Sequence, residues 1–187
     1  NVLHSDEHGQ IRRMNLDGSG VEVIAKGVRN TVGFDWNPET KQLYFTDNGR
    51  DWMSEDVPED ELNRVTKKGE HFGAPYCLQG NIPDPEFGWG RSCSEFVAPV
   101  GLMGPHSAAL GMRFYTGSMF PKSYKNAISV MQDTINAAKL VGKGQAAAVG
   151  RQRGNFWLFD SATGAVLRRF TPMRARSLAP SPDDRYL

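Results

Sequence analysis

The chain is patterned as short segments in which apolar and polar residues alternate, separated by turns rich in Gly, Asn, Asp and Pro. Such alternation is typical of half-buried β-strands, because successive side chains point to opposite faces of a sheet. It predicts strands at residues 10–15, 21–25, 31–36, 42–47 and 111–115. Asp17 and Gly18, between the first two strands, supply the positive-φ positions of a tight hairpin turn. We therefore expect a nearly all-β protein.

Four of these strands follow one another between residues 10 and 47, as the strands of one β-propeller blade do. The same order returns near the C-terminus, with strands expected at 156–159, 166–170 and 177–179. This internal repeat predicts a repeat architecture. The predicted fold is all-β, a β-propeller of which the chain holds a partial set of about four blades. Because a propeller must close to remove its sheet edges, we expect a six-bladed parent.

The chain divides into regions of different character. Residues 1–126 are predicted to form propeller blades that carry the functional loops, and residues 154–187 a further blade of WD or YVTN type. Between them, residues 127–153 combine an Ala-rich, helix-favouring sequence with interrupting glycines and basic residues. We expect this segment to be an irregular insertion or linker. The chain has neither an initial Met nor a signal peptide, so we expect a mature or truncated piece.

Charge and hydropathy exclude some functional classes. The 187 residues include 22 basic and 21 acidic ones, for a net charge of +1, with no basic stripe. Nucleic acid is therefore not indicated as a partner. No apolar run approaches the ~18 residues that suggest a membrane-spanning helix, so no membrane span is expected.

Cys77 and Cys93 are the only two cysteines and lie in a loop-rich segment with flanking Gly and Pro. A disulfide is the favoured interpretation, and it would place the protein in an oxidising compartment, periplasmic or secreted. Two unpaired structural thiols are the alternative. A zinc site is disfavoured because two further soft ligands are not at hand.

The stretch from Gly27 to Cys77 carries the candidate chemistry, since long polar loops are uncommon unless they bind something. Asn30 precedes one predicted strand and Asn48 follows the next, with a Pro turn between the two strands. Antiparallel neighbours joined in this way bring Asn30 and Asn48 to the same end of a blade. His106 lies further along in a Gly-Pro context. It is either a hydrogen-bonded loop histidine or a possible catalytic histidine that faces a central site.

Several motifs, in this order and spacing, resemble the glucose/sorbosone dehydrogenase family, in particular its L-sorbosone dehydrogenase-like or aldose sugar dehydrogenase branch. The resemblance covers about residues 10–130 and rests on Arg29-Asn30, Asp47-Asn48-Gly49-Arg50-Asp51, Asp60-Glu61-Leu62-Asn63, Gly69–Pro75 and His106–Met112. It implies a soluble six-bladed β-propeller quinoprotein that uses pyrroloquinoline quinone (PQQ) and calcium.

The resemblance also implies roles for individual residues. Arg29 and Asn30 would contact the quinone, and Asn48 would lie beside it. The carbonyls of Gly49 and Arg50 would hold the Ca²⁺ that polarises the quinone, while Glu61 and the carbonyl of Phe72 match positions that bind a structural calcium in some members. Arg174 and Arg176 match a late cofactor-binding arginine pair, although that segment equally resembles a generic repeat.

These residue types suit the chemistry, since three cofactor carboxylates favour Arg and Ca²⁺ favours oxygen ligands. The competing interpretations are an ordinary surface salt bridge for Arg29 and a solvated face for the acidic loop around Glu61.

The implied activity is oxidation of an aldose or sorbosone by hydride transfer to the quinone, with a histidine taking the hydroxyl proton. No residue of the chain matches that histidine, because His4 and His8 are too close to Arg29. The segment Gln132–Ile135 also departs from the family, which has a basic or histidine residue there. Two functions therefore stand: a quinoprotein sugar dehydrogenase, and a non-catalytic propeller that binds through the retained loops. The sugar and the electron acceptor are not identified.

Overall fold

The computed structural model describes residues 8–118, 122 and 125–132, together with strands at 145–149, 156–160 and 166–170. Almost all regular structure in this part of the chain is β, and a short 3₁₀ helix spans Cys93–Glu95. The strands are β1 (Gln10–Arg13), β2 (Glu22–Lys26), β3 (Phe34–Trp36), β4 (Leu43–Asp47), β5 (Glu59–Arg64), β6 (Glu70–His71), β7 (Cys77–Leu78), β8 (Ile82–Pro83), β9 (Gly101–Pro105), β10 (Ala109–Phe114), β11 (Ile128–Gln132), β12 (Gln145–Val149), β13 (Phe156–Asp160) and β14 (Val166–Phe170). The described residues include no helix long and apolar enough to cross a membrane.

The all-β prediction is confirmed, and the predicted strands near residues 10, 21, 42, 111, 156 and 166 appear as β1, β2, β4, β10, β13 and β14. The strand predicted at 31–36 is shorter and begins at Phe34. The strand predicted at 177–179 lies outside the described residues.

The strands form separate sheets, as in part of a β-propeller: β1-β2-β6, β3-β4-β5-β9, β10-β11-β12-β13-β14 and the small pair β7-β8. The prediction that the strands between residues 10 and 47 make one blade is wrong, because β1-β2 and β3-β4 lie in different sheets. β2 pairs in parallel with β6, whereas β4 pairs antiparallel with β5. The link between β2 and β3 therefore crosses from one sheet to the next.

The segment predicted to be irregular, residues 127–153, contains two strands. β11 pairs antiparallel with β10 and parallel with β12, so the prediction is wrong at Ile128–Gln132 and Gln145–Val149. At β11 the local sequence pattern does not favour a strand. Tertiary structure outweighs that pattern, because Ile128 and Val130 are buried and the segment pairs with β10. The division of the chain at residues 126 and 154 stays a prediction.

β4 is the centre of the core, and all of its residues from Leu43 to Asp47 are buried. Because side chains alternate along a strand, its two faces serve two hydrophobic clusters. Tyr44 packs edge-to-face on Phe114 with ring centroids 5.2 Å apart. Phe45 packs in the same manner on Phe72 at 5.0 Å. A strand buried on both faces is a rigid support for the loop that follows it.

The predicted disulfide is confirmed. Cys77 and Cys93 are bonded, with Cα atoms 5.5 Å apart, and close a loop with a sequence separation of 16. The alternative of two free thiols is wrong, since these are the only cysteines of the chain. Closing a loop of this length stabilises a fold by about 3 kcal/mol in the loop-entropy model.

Gly33 lies where the backbone before β3 closely approaches β10. A Cβ atom added at Gly33 would overlap the carbonyl oxygen of Leu110 and lie 2.6 Å from the amide nitrogen of Met112. Both are backbone atoms, so neither can move aside without shifting the strand. We expect Gly33→Ala to lower the free energy of unfolding by about 1–3 kcal/mol in chemical denaturation.

The matched control is Val32→Ala, because Val32 is the neighbouring residue and half of its surface is exposed. This control should stay within about 0.5 kcal/mol of the wild type. Equal stabilities for the two variants would contradict the close approach of the Gly33 backbone to β10.

Candidate functional site

Asp47, the last residue of β4, holds the link between β2 and β3 in place. Its buried carboxylate accepts hydrogen bonds from the backbone N–H of Arg29 at 2.8 Å and of Asn30 at 2.6 Å. Burial, opposed by these two bonds, raises the pKa of Asp47 to about 6. One side chain thus satisfies two backbone donors of the crossing link.

Asn48 completes the attachment from the following loop. Its backbone N–H and its side-chain amide both donate to the carbonyl of Asn30, at 3.2 and 3.0 Å. The guanidinium of Arg29 donates back to the carbonyl of Asn48 at 3.1 Å. The convergence of these residues, expected from the sequence, is therefore present, while their roles in binding stay a prediction.

A cleft of about 800 Å³ opens beside this junction. Its walls combine cations (Lys26, Arg29, Arg50), acids (Asp51, Asp84, Glu86), the amide residue Asn30 and rings (His8, Trp52, His71, Tyr76, Phe87). Its size and mixed lining are those of small-molecule and cofactor sites.

Arg50 fastens one wall of this cleft to another. Its guanidinium donates to both carboxylate oxygens of buried Asp84, at 2.7 and 2.8 Å, and to Glu86 at 2.8 Å. Asp84 in turn accepts from the backbone N–H groups of Glu86 and Phe87. Two carboxylates engage Arg50 at 2.7 and 2.8 Å, whereas the partly exposed guanidinium of Arg29 pairs with one, Asp51, at 3.5 Å. Arg29 is therefore the better placed of the two to receive an anion.

A second cavity, of about 10 Å³, has room for one water or ion and shares Arg29, Ala74 and Leu78 with the cleft. Its lining includes Asp47, Asn48, Gly49, Glu61 and Phe72. Three of the four residues predicted as metal ligands therefore surround one space, while Arg50 lines the cleft instead.

Two buried acids, Asp47 and Glu61, are among the residues that line this small cavity. Glu61 lies directly opposite Asp47 in the β4-β5 pair and accepts from the side-chain amide of Asn63 at 2.8 Å. Burial first, and then the charge of Asp47, raises the pKa of Glu61 to about 8. The side-chain oxygens of Asn48 and Asn63 are buried without a hydrogen-bond partner.

Neighbouring Asp60 is also buried, but its carboxylate is occupied by the N–H of Gly49 and the hydroxyl of Ser107. The described residues contain no cluster of three or more His, Cys, Asp or Glu arranged to hold a metal. A cation here would therefore depend on carbonyl and amide oxygens as well as on carboxylates, a donor set that suits Ca²⁺.

Of the remaining predicted residues, His106 is described and does not line the cleft. His106 is exposed, and its Nε2 forms a 2.7 Å hydrogen bond with the carbonyl of Ser54, as expected for a loop histidine. It is not among the described residues that line the cleft. Arg174 and Arg176 lie outside the described residues.

The structure adds His71 to the site, a residue that no sequence motif indicates. His71 lines the cleft, its Nδ1 accepts from the N–H of Gly73 at 3.1 Å, and its ring packs on Phe96 with centroids 4.8 Å apart. The one sequence signal is Gly27, which has φ +63 and where a Cβ atom would overlap the His71 ring. That signal is not interpretable without knowing that β2 and β6 pair.

Known proteins are similar to this chain over about two thirds or more of its length. The family model for glucose/sorbosone dehydrogenase matches residues 4–152. The chain is 37% identical over 125 residues to a Borreliella burgdorferi protein described as uncharacterized, covering 65% of this chain and 32% of the relative. It is 27% identical over 143 residues to the aldose sugar dehydrogenase YliI of Escherichia coli K12, covering 68% of this chain and 35% of the relative.

The chain thus spans about a third of the length of these curated relatives. Among solved structures, a glucose dehydrogenase crystal structure aligns with a TM-score of 0.59 at 18% identity, covering 94% of this chain and 49% of that one. At that identity the likeness concerns the fold alone, and it agrees with the β-propeller architecture.

The buried carboxylates predict a pH dependence of stability in the presence of a chelator. Glu61 has an ordinary pKa of 4.5 and a folded pKa of about 8, so above pH 4.5 the unfolded state loses a proton that the folded state keeps. The free energy of unfolding should therefore fall as pH rises, by up to about 1.4 kcal/mol per pH unit. Asp47 contributes in the same direction up to its pKa of about 6. Between the two folded-state pKa values, about 6 for Asp47 and about 8 for Glu61, the slope comes mainly from Glu61.

Denaturant titrations at a series of pH values measure this slope. Glu61→Gln should flatten it in the range above the pKa of Asp47, because the amide keeps the acceptor for Asn63 but does not ionise. Glu39→Gln, at an exposed position in the turn after β3, is the matched control and should leave the slope as in the wild type. A Glu61→Gln protein with the wild-type slope would refute the burial of an ionisable group there.

Proposed function

Because the chain belongs to the glucose/sorbosone dehydrogenase family, we propose that it forms part of a dehydrogenase that oxidises an aldose or sorbosone with PQQ and Ca²⁺. The observation that supports this proposal is the junction of a cleft walled by Arg29 with a small cavity whose lining includes the buried acids Asp47 and Glu61. The disulfide between Cys77 and Cys93 supports a periplasmic or secreted location.

The cleft residues suit a flat quinone that carries three carboxylates. Arg29 is held by Asn48 and, at 3.5 Å, by Asp51, and its donors lie at the cleft wall, where an Arg side chain pairs well with a carboxylate. Lys26 adds a second cation to the lining, and Asn30 an amide. Asn48 would support the cofactor indirectly, by fixing the backbone of Asn30. Arg174 and Arg176 remain proposed cofactor ligands from outside the described residues.

The small cavity suits calcium. Glu61, the carbonyl of Phe72 and the backbone of Gly49 would hold the ion, joined by the carboxylate of Asp47 and by the otherwise unpartnered side-chain oxygen of Asn48. We do not retain Arg50 as a ligand, because it lines the cleft rather than this cavity. When bound, Ca²⁺ supplies positive charge that offsets the buried carboxylates and acts as a Lewis acid.

The histidines in the described cleft bear on proton transfer. The Nδ1 of His71 accepts the Gly73 N–H, so this nitrogen is already occupied and is not available to take a proton from a substrate. His8 also lines the cleft. The orientation of His71 favours the second candidate function, a non-catalytic propeller that binds ligands through the same loops.

Arg29 is the residue on which cofactor binding should depend most. Loss of a charge-assisted hydrogen bond costs roughly 1.5–3 kcal/mol, about ten- to a hundredfold in affinity. We expect Arg29→Ala to weaken PQQ binding by about that factor in a titration followed by quinone absorbance. Arg12→Ala, in β1 and away from the cleft lining, should bind PQQ as the wild type does. Equal affinities for wild type and Arg29→Ala would remove the proposed role of Arg29.

Calcium should stabilise the protein through Glu61. A ligand present at a hundredfold excess over its Kd stabilises the folded state by about 2.7 kcal/mol, and we expect Ca²⁺ to raise the melting temperature of the wild type but not of Glu61→Gln. Glu39→Gln should respond as the wild type.

Dye reduction with aldoses, measured with PQQ in the presence of Ca²⁺ or of a chelator, then separates the two candidate functions. Calcium-dependent turnover supports the dehydrogenase. PQQ binding without turnover supports the non-catalytic propeller.

For the calcium prediction, a Glu61→Gln protein that Ca²⁺ stabilises as strongly as the wild type would show that the ion binds elsewhere.

A further inference from the structure

Trp52 is a conspicuous residue of the cleft that the proposed cofactor site does not use. Its side chain is fully exposed, at 100% relative accessibility, yet it lines the cleft. Its backbone φ is +65, in the left-handed region where bulky residues are outliers and carry strain. An exposed indole in a strained conformation contributes little to the core, and such outliers cluster at ligand sites.

The loop that carries Trp52 is anchored on both sides. Before it, Arg50 is fixed to Asp84, and Asp51 approaches the guanidinium of Arg29 at 3.5 Å. After it, the carbonyl of Ser54 bonds to His106 at 2.7 Å, and the Ser54 hydroxyl caps a turn. These contacts hold the loop against the cleft, so the exposure of Trp52 is built into the structure.

Two carboxylates line the same cleft as Trp52. The side chains of Asp51 and Glu86 are 71% and 61% exposed, and each pairs through one oxygen with an arginine, Arg29 and Arg50 respectively. Such a pair is close to neutral overall and offers hydrogen-bond acceptors and donors side by side. This part of the cleft therefore suits a neutral, hydroxyl-rich ligand.

We propose that Trp52, with Asp51 and Glu86, forms the sugar subsite of the cleft. The indole face takes the C–H face of a monosaccharide ring, and the two carboxylates accept its hydroxyl groups. This assignment deepens the proposed function and rests on it for the identity of the ligand as substrate.

The test uses D-glucose as the probe and two exposed tryptophans as a matched pair. Trp89 is 85% exposed and donates its indole N–H to the carbonyl of Pro85, but it is not among the described residues lining the cleft. Trp52→Ala should weaken glucose binding about three- to tenfold, both in saturation-transfer NMR and as a higher KM in dye reduction. Trp89→Ala should not change it, and Trp52→Phe should recover most of the affinity. Melting temperatures of all variants verify that they fold.

The glucose and PQQ affinities of these variants distinguish the sugar subsite from the cofactor site. Unchanged glucose affinity in a folded Trp52→Ala protein overturns the subsite. So does a loss of PQQ affinity in that variant as large as its loss of glucose affinity, since Trp52 would then stack on the cofactor. If the wild type fails to bind PQQ but binds glucose in a Trp52-dependent manner, the proposed function fails and the sugar subsite stands.

Discussion

The structure depends on one buried carboxylate at the end of a central strand. Asp47 accepts hydrogen bonds from the backbone N–H groups of both Arg29 and Asn30. These donors lie partly buried where the chain crosses between sheets, and without Asp47 they would lack these partners. Buried backbone donors without partners are costly, so this carboxylate decides where the link between β2 and β3 can lie. The placement of Arg29 and Asn30 beside Asn48 follows directly from it.

The end of β4 makes the site rigid and also places two buried acids opposite each other. β4 is buried on both faces, which fixes Asp47, but the register of β4 and β5 sets Glu61 opposite it. Two acids facing each other in the interior oppose folding, and the proposed calcium ion would offset that cost. The disulfide-closed loop supplies Asp84, which lines the cleft and holds Arg50. Stability and the proposed ligand binding therefore depend on one group of residues.

Local sequence features predicted the strands and the conformation of individual loops. Apolar alternation is a local property of a strand, so β1, β2, β4 and β10 follow from the residues they contain. The pairing of Cys77 with Cys93 follows from their being the only cysteines in an otherwise loop-rich segment. The approach of Asn30 to Asn48 follows as well, because one hairpin connects them and its geometry is short-range.

Tertiary structure decided what joins distant parts of the chain. Only β-sheet pairing shows that β1-β2 and β3-β4 belong to different sheets, and that β11 and β12 are strands despite their weak local pattern. The opposition of Asp47 and Glu61 and the position of His71 depend on register between separate strands, which no local periodicity encodes. Alternation tells which residues share a face. The partner that covers that face is chosen by burial and hydrogen bonding across the whole fold, so the cleft could be recognised only once those pairings were known.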